Sequence, residues 1–271
     1  MTTLETRFHR MKALELLPPA WHARLAKGRI EEVRSGLGGA SVFRVEDALG
    51  QKQFLKIAKG GEAKALRQEI ERTSWLRSQG INVPEVLDAL TDGKITALLM
   101  SAMSGVPADE RIGTPSETIG LVGCAIAQLH AVPVEFCPFD ERLNVRLTKA
   151  KSDIDLGAVD SGQFDERNQG ISPTHLLARL IDTIPDSEDL VVVHGDATFA
   201  NIVLDSSGKV GFIDCGRSGI ADRYIDLSVI AREIENNFGQ EWMDTFFIAY
   251  GLGRTWDRVK MRYYADLYEL F

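Results

Sequence analysis

The chain lacks any apolar run approaching the roughly 20 residues that a membrane-spanning helix needs. Its opening, MTTLETRFHRMKALELLPPAW, has no continuous apolar segment leading to a small-residue cleavage pattern, so no secretory leader is expected. Cysteine is scarce: Cys124, Cys137 and Cys215 are an odd number, with no CxxC or other metal-ligand spacing. Their apolar neighbours suggest buried thiols in a reducing compartment. Positive charge is in deficit, with 31 Lys and Arg against 39 Asp and Glu and a net charge of -8. That balance argues against a nucleic-acid partner and favours a cationic one. Repeats and low-complexity tracts are missing too. The expectation is a cytoplasmic, soluble protein without membrane or nucleic-acid partners, and 271 residues at 44% hydrophobic content suffice for one large or two small packed cores.

The local pattern changes once along the chain. Residues 29–46 read as strand, glycine-rich turn, strand, and QKQFLKIAK continues in strand alternation. EAKALRQEIERTSWLRSQG places Ala65, Ile70, Ser74 and Leu76 at helical spacing and stops at Gly80. Two more strands flank Asp92-Gly93, a hairpin signal. After SGVP the periodicity becomes helical. SETIGLVGCAIAQLHAV suggests Ser116 as its N-cap, SPTHLLARLIDTI opens with Ser172 and Pro173, and DLSVIAREIENNFG follows. The expected architecture is α+β: a strand-rich N-terminal lobe over 1–103, ending in a hinge, and a helix-rich C-terminal lobe over 104–271.

Three stretches carry chemistry. SGLGGAS, between two strands, can turn backbone N–H groups into a concavity that suits phosphate. It is not a P-loop, since the GK[ST] ending is missing and a strand follows where a helix should. Lys56 lies on a strand with Leu55 and Ile57 facing the other way, and an inward lysine needs an anion, which Glu69 on the next helix could supply. The third is the pair VVVHGDATFANIVLD and GFIDCGRSGIADRYIDL, in which Asp196, Asn201 and Asp214 follow apolar strands. The hairpin between them brings Asn201 and Asp214 to the same end of neighbouring strands. Phosphoryl transfer needs a divalent ion and a group that orients the incoming hydroxyl. Two carboxylates and an amide oxygen are what Mg²⁺ and such a base require. His194 is read as a brace for the loop, and Asp222, Arg223 and Asp226 as its anchor to the next helix; His9, His22, His130 and His175 show no metal spacing.

These motifs resemble the aminoglycoside phosphotransferase family over nearly the whole chain, most closely its 3'-phosphotransferase group. H-G-D-x-x-x-x-N and I-D-C-G stand where protein kinases have H-R-D-x-x-x-x-N and D-F-G. The resemblance extends through CPFDERL, FDERNQG and the closing YELF. It implies a two-lobed, protein-kinase-like fold and transfer of phosphate from ATP or GTP, with Mg²⁺, to an aminoglycoside hydroxyl, most closely the 3'-hydroxyl, conferring resistance. By it, Asp196 is the catalytic base, Asn201 and Asp214 bind Mg²⁺, Lys56 contacts the nucleotide phosphates and Glu69 holds Lys56. Gly38, Gly39 and Ser41 belong to the phosphate loop, and LLMSAMSG supplies the backbone of Ser101 and Met103 to the purine. Asp165, Glu166, Arg217, Arg232, Glu233, Glu269 and Phe271 fall at substrate-binding positions. Two departures stand out: Gly38 replaces a serine common in relatives, and Tyr268 replaces the first acid of the usual Asp-Glu-x-Phe ending. Another aminoglycoside hydroxyl, a small metabolite alcohol, and a nucleotide-binding pseudokinase remain as alternatives.

Overall fold

The computed structural model describes residues 13–25, 29–33, 39–47, 49–110 and 113–271. His9 and Gly38 lie outside the described residues. The chain divides into two compact units, Met1–Ser104 and Gly105–Phe271.

In the first unit a short helix α1 (Pro19–Leu25) precedes β1 (Arg29–Val33), β2 (Ser41–Glu46), β3 (Lys52–Lys59), helix α2 (Glu62–Ser78), β4 (Val86–Thr91) and β5 (Ile95–Ser101). The strands form one antiparallel sheet in the order β1-β2-β3-β5-β4. The two-residue period of a strand sorts its side chains onto two faces. Phe43, Leu55, Ile57, Ala97 and Leu99 pack with Leu17, Trp21 and Leu25 on one side. Ala58, Leu98 and Met100 pack with Leu66 of α2 on the other, with Phe54 and Ile70 against them. Lys56 therefore shares the α2 side with Phe54. The Asp92 carboxylate closes the β4–β5 hairpin by accepting the N–H groups of Lys94 and Ile95, both at 2.9 Å, and Gly93 takes φ +84°.

Helix α2 ends where expected, with Gly80 at φ +82°, but its buried face is rotated from the sequence expectation. Ala63, Leu66, Glu69, Thr73 and Leu76 are buried, while Ala65 and Ser74 are exposed. Glu69 and Thr73 are polar, so a count of apolar side chains hides the face they occupy.

The second unit contains β6 (Val106–Pro107), α3 (Pro115–His130), α4 (Leu143–Asp155), α5 (Pro173–Asp182), β7 (Leu190–Val193), β8 (Ile202–Leu204), β9 (Val210–Phe212), β10 (Gly219–Asp222), α6 (Tyr224–Asn237), α7 (Met243–Tyr250) and α8 (Arg258–Tyr268). Strands β7 and β10 form one small antiparallel sheet, and β6, β8 and β9 another. Helix α3 is capped by Thr114, not Ser116: Thr114 and Glu117 make a reciprocal capping box, and Pro115 takes the first helical position. Ser172 caps α5 as expected. Cys137 and Cys215 are buried, but Cys124 is exposed on α3, contrary to the expectation for all three.

Packing of α3 on α7 depends on Gly123. A Cβ there would meet the Phe246 carbonyl oxygen and Ala249 Cβ, both at 2.9 Å, so helix backbones would have to separate. Gly120, one turn earlier, has nothing within 4 Å of its would-be Cβ. The two glycines therefore predict opposite outcomes. Gly120→Ala should stabilise the protein by about 0.5–1 kcal/mol through helix propensity. Gly123→Ala should destabilise it, since the overpacking cost of about 1–3 kcal/mol exceeds that gain. Paired urea unfolding curves check this, and equal shifts for both variants would contradict it.

Candidate active site

Strand β7 delivers His194, Gly195 and Asp196 at its end. These residues leave the strand pairing, so their backbone N–H groups need other partners. The carboxylate of Asp226, in the first turn of α6 and fully buried, supplies two of them. It accepts the His194 N–H at 2.6 Å and the Gly195 N–H at 2.8 Å. Helix N-termini favour such a negative charge. His130, at the end of α3, bonds the same carboxylate through Nε2 at 3.1 Å, and its Nδ1 meets the Tyr250 hydroxyl at 2.8 Å. Burial pushes the Asp226 carboxyl up, but the hydrogen bond and charge of His130, with the His194 N–H, outweigh it and hold the group below its ordinary 3.8.

His194 itself is buried and locked. Its Nε2 lies 2.9 Å from the Ile213 carbonyl, and its Nδ1 receives the Asp196 N–H at 3.3 Å. That pattern is the neutral Nε2–H tautomer, donating to one loop and accepting from the other. Ser218 adds a second tie by donating its hydroxyl to the His194 carbonyl at 3.1 Å. Gly195 has φ +83°, and a Cβ there would lie 2.2 Å from the Arg217 carbonyl oxygen. Only glycine permits this close approach.

Asp196 is thereby fixed in backbone, and its carbonyl oxygen accepts Nδ2 of Asn201 at 2.9 Å and the Thr198 N–H at 2.9 Å. The amide of Asn201 is oriented by that bond, which turns its oxygen away from the Asp196 backbone. Asn201 and Asp214 sit at the matching ends of β8 and β9, and the Ile213 N–H reaches the Asn201 carbonyl at 3.0 Å. Asp214 takes φ 57° and ψ 47°, the one non-glycine residue at positive φ among the described residues. An L-residue there carries strain of about 1–2 kcal/mol, and aspartate is among the side chains that tolerate it. The amide oxygen of Asn201 and the carboxylate of Asp214 form a hard-oxygen donor pair, which fits Mg²⁺.

Most of the residues expected to bind substrate lie close to α8. Arg217 Nη1 lies 3.9 Å from Asp196 Oδ1. Glu269 accepts the Asp165 N–H at 3.1 Å and Asn168 Nδ2 at 3.0 Å. Burial, with the Asp165 charge, raises its carboxyl above the ordinary range against those hydrogen bonds. Arg232 lies 3.7 Å from Asp165 and over the Tyr268 ring at 4.9 Å. Phe271 places its ring within 5.1–5.8 Å of the cations of Arg146, Lys149 and Arg217. Glu166 is exposed in the turn that follows Asp165. Glu233 accepts the Phe199 N–H at 3.1 Å, within the segment that carries Asn201. Cations and N–H donors already stand among these carboxylates, so they are not an uncompensated acidic cluster.

In the first unit Lys56 Nζ donates to Glu69 Oε1 at 2.7 Å, with both side chains largely buried. Gly39 is exposed and Ser41 opens β2. The Ser101 N–H donates to the Glu85 carbonyl at 2.9 Å, so that group is occupied, and Met103 follows the end of β5.

Sequence reasoning missed three participants. His130 and Arg146 are buried close to the loop, and Tyr268 donates its hydroxyl to Asp196 Oδ1 at 2.5 Å. Each reaches the loop from a distant part of the chain, 72 residues away for Tyr268, and no local motif marks such a partner.

A strand-rich N-terminal unit with a lysine–glutamate pair, and a helical unit carrying an aspartate–asparagine–aspartate loop set, define a kinase-like phosphotransferase fold. Residues 29–262 match the APH phosphotransferase enzyme family, and the chain belongs to it. It is 35% identical to an aminoglycoside 3'-phosphotransferase of Streptomyces fradiae, over 93% of this chain and 95% of that protein. A crystal structure of an aminoglycoside-3'-phosphotransferase of type VIII superposes with a TM-score of 0.85 at 34% identity, covering 97% and 99% of the two chains. An aminoglycoside phosphotransferase of Streptomyces rimosus, solved with ADP and streptomycin, gives 0.82 at 30% identity over 96% and 98%. Among the described residues no helix is long and apolar enough to cross a membrane.

The buried brace has a pH signature. Removing one partner of a buried, hydrogen-bonded pair costs about 3–5 kcal/mol, so Asp226→Ala should lose that much at pH 7. Asp226 titrates lower in the folded than in the unfolded protein, so its contribution is complete above the ordinary carboxylate value and disappears as pH falls through the depressed one. The stability gap between wild type and variant should narrow as pH falls below about 4. Urea unfolding at several pH values measures it, and a gap unchanged at low pH would refute the ionised brace.

Proposed function

We propose that this chain is a Mg²⁺-dependent kinase that transfers the terminal phosphoryl group of ATP or GTP to the 3'-hydroxyl of an aminoglycoside, giving resistance to it. The observation that carries the reading is the loop at the end of β7. It fixes Asp196 through its backbone and leaves its carboxylate half-buried beside Arg217. The aminoglycoside 3'-phosphotransferase names of relatives at about 35% identity supply the substrate class.

In this reading the Asp196 carboxylate orients the acceptor hydroxyl and takes its proton. Asn201 and Asp214 would hold Mg²⁺, which when bound neutralises charge on the nucleotide phosphates. Lys56 binds those phosphates, and Glu69 keeps its ammonium in place. Backbone N–H groups at Gly38 and Gly39, with Ser41, complete the phosphate contacts. The purine edge meets the backbone of Met103 and the carbonyl of Ser101. Asp165, Glu166, Arg232, Glu269 and Phe271 bind the aminoglycoside, and Glu233 acts through the Phe199 N–H as well. Arg217 steadies Asp196 and the incoming phosphoryl group.

The similarity to the streptomycin-bound relative favours one second reading, a streptomycin hydroxyl as acceptor. A coupled spectrophotometric assay with streptomycin and a panel of 3'-hydroxyl aminoglycosides separates the two. Asp196→Ala should lower turnover by at least about 10²–10⁴-fold while nucleotide affinity holds. Asp214→Asn should weaken Mg²⁺-dependent nucleotide binding and lose most activity, with partial recovery at high Mg²⁺, because a hard cation loses a charged oxygen. Undiminished turnover by Asp196→Ala would overturn the assignment of the base, and normal Mg²⁺-nucleotide binding by Asp214→Asn would place the ion elsewhere.

A further inference from the structure

Tyr268 ends α8 with its hydroxyl donating to Asp196 Oδ1 at 2.5 Å. The side chain is held on several sides. Arg232 lies over the ring, 4.9 Å from its centroid, and is itself 3.7 Å from Asp165. The next residues are anchored, Glu269 by Asn168 and the Asp165 N–H, and Leu270 by complete burial. The Arg217 guanidinium approaches the same Oδ1 at 3.9 Å. Both contacts fall on one carboxylate oxygen, which leaves Oδ2 for an acceptor hydroxyl.

A phenol has one hydrogen to give, and Tyr268 gives it to Asp196. Burial and the Asp196 charge raise its pKa, so the hydroxyl stays protonated through the neutral range. Towards a bound substrate its oxygen can then only accept. Resting on the proposed function above, we propose that Tyr268 is a specificity-determining residue that selects acceptors carrying a hydrogen-bond donor, hydroxyl or ammonium, on the carbon next to the one phosphorylated. The reacting hydroxyl bonds Oδ2, Tyr268 bonds Oδ1, and the neighbouring donor bonds the Tyr268 oxygen. One carboxylate and one phenol thus read two adjacent substituents of a sugar ring. A hydrogen-bonding pocket discriminates in this way because an analogue lacking the donor leaves a polar group unpaired.

The test compares kcat/KM for kanamycin A and its 2'-deoxy and 4'-deoxy analogues, each of which keeps the 3'-hydroxyl. Wild type should prefer the parent over one of the two analogues by on the order of tenfold, the range for one hydrogen bond. Tyr268→Phe keeps the ring beneath Arg232 and removes only the oxygen. It should abolish the preference, bringing parent and analogue to the same kcat/KM whatever loss the missing bond to Asp196 causes in both, with the KM for nucleotide constant. A preference that persists in Tyr268→Phe, or no preference in wild type, overturns the proposal while leaving the kinase reading intact. A wild type that phosphorylates none of the three overturns the 3'-hydroxyl reading, and the proposal falls with it.

Discussion

The Asp226 carboxylate is the interaction on which the candidate site depends. It lies fully buried at the start of α6 and receives two consecutive backbone N–H groups from the loop after β7. A loop that turns away from a strand and stays buried must satisfy its amides, and an unpaired one costs about 1–3 kcal/mol. Asp226 answers for two at once, and His130 bonds the same carboxylate through Nε2 at 3.1 Å. From this follow the glycine at 195, whose backbone passes against the Arg217 carbonyl, and the neutral tautomer of His194, which joins the two loops. The candidate base and the candidate metal ligands are thus parts of one hydrogen-bonded assembly.

A second assembly holds the C-terminal helix against the loop at 165–168. Asp266 receives Arg167 at 2.7 Å and Arg179 at 3.0 Å, and Asn168 bonds Asp266, Glu269 and Arg179. Positive groups therefore stand inside what composition alone presents as an acidic surface. Asp165 and Glu269 are held in fixed positions by hydrogen bonds, although the Asp165 charge and burial still raise the Glu269 carboxyl.

Much of this was legible in the sequence because it is local. Strand alternation put Leu55 and Ile57 opposite Lys56, the Asp92-Gly93 turn closed its hairpin, and Ser172-Pro173 opened a helix. The joining of Asn201 to Asp214 followed from a hairpin a dozen residues long. Errors arose where tertiary contact decided between locally similar choices. Thr114 out-competed Ser116 because Pro115 and Glu117 complete its cap. The buried face of α2 runs through Glu69 and Thr73, which no apolar count selects. Cys124 has apolar neighbours in sequence but an exposed position on α3. Tyr268 read as a missing acid, and its hydrogen bond to Asp196 spans a separation that no local pattern encodes.

Product identification tests the kinase assignment most directly. The protein, Mg²⁺, ATP and an aminoglycoside with a free 3'-hydroxyl are incubated, and the product is examined by mass spectrometry and by phosphorus–proton correlation NMR. A single added phosphate is expected, with the phosphorus coupled to the proton on carbon 3'. Phosphate on another carbon would contradict the regiochemistry. Bound nucleotide with no phosphorylated aminoglycoside at all would contradict the kinase assignment itself.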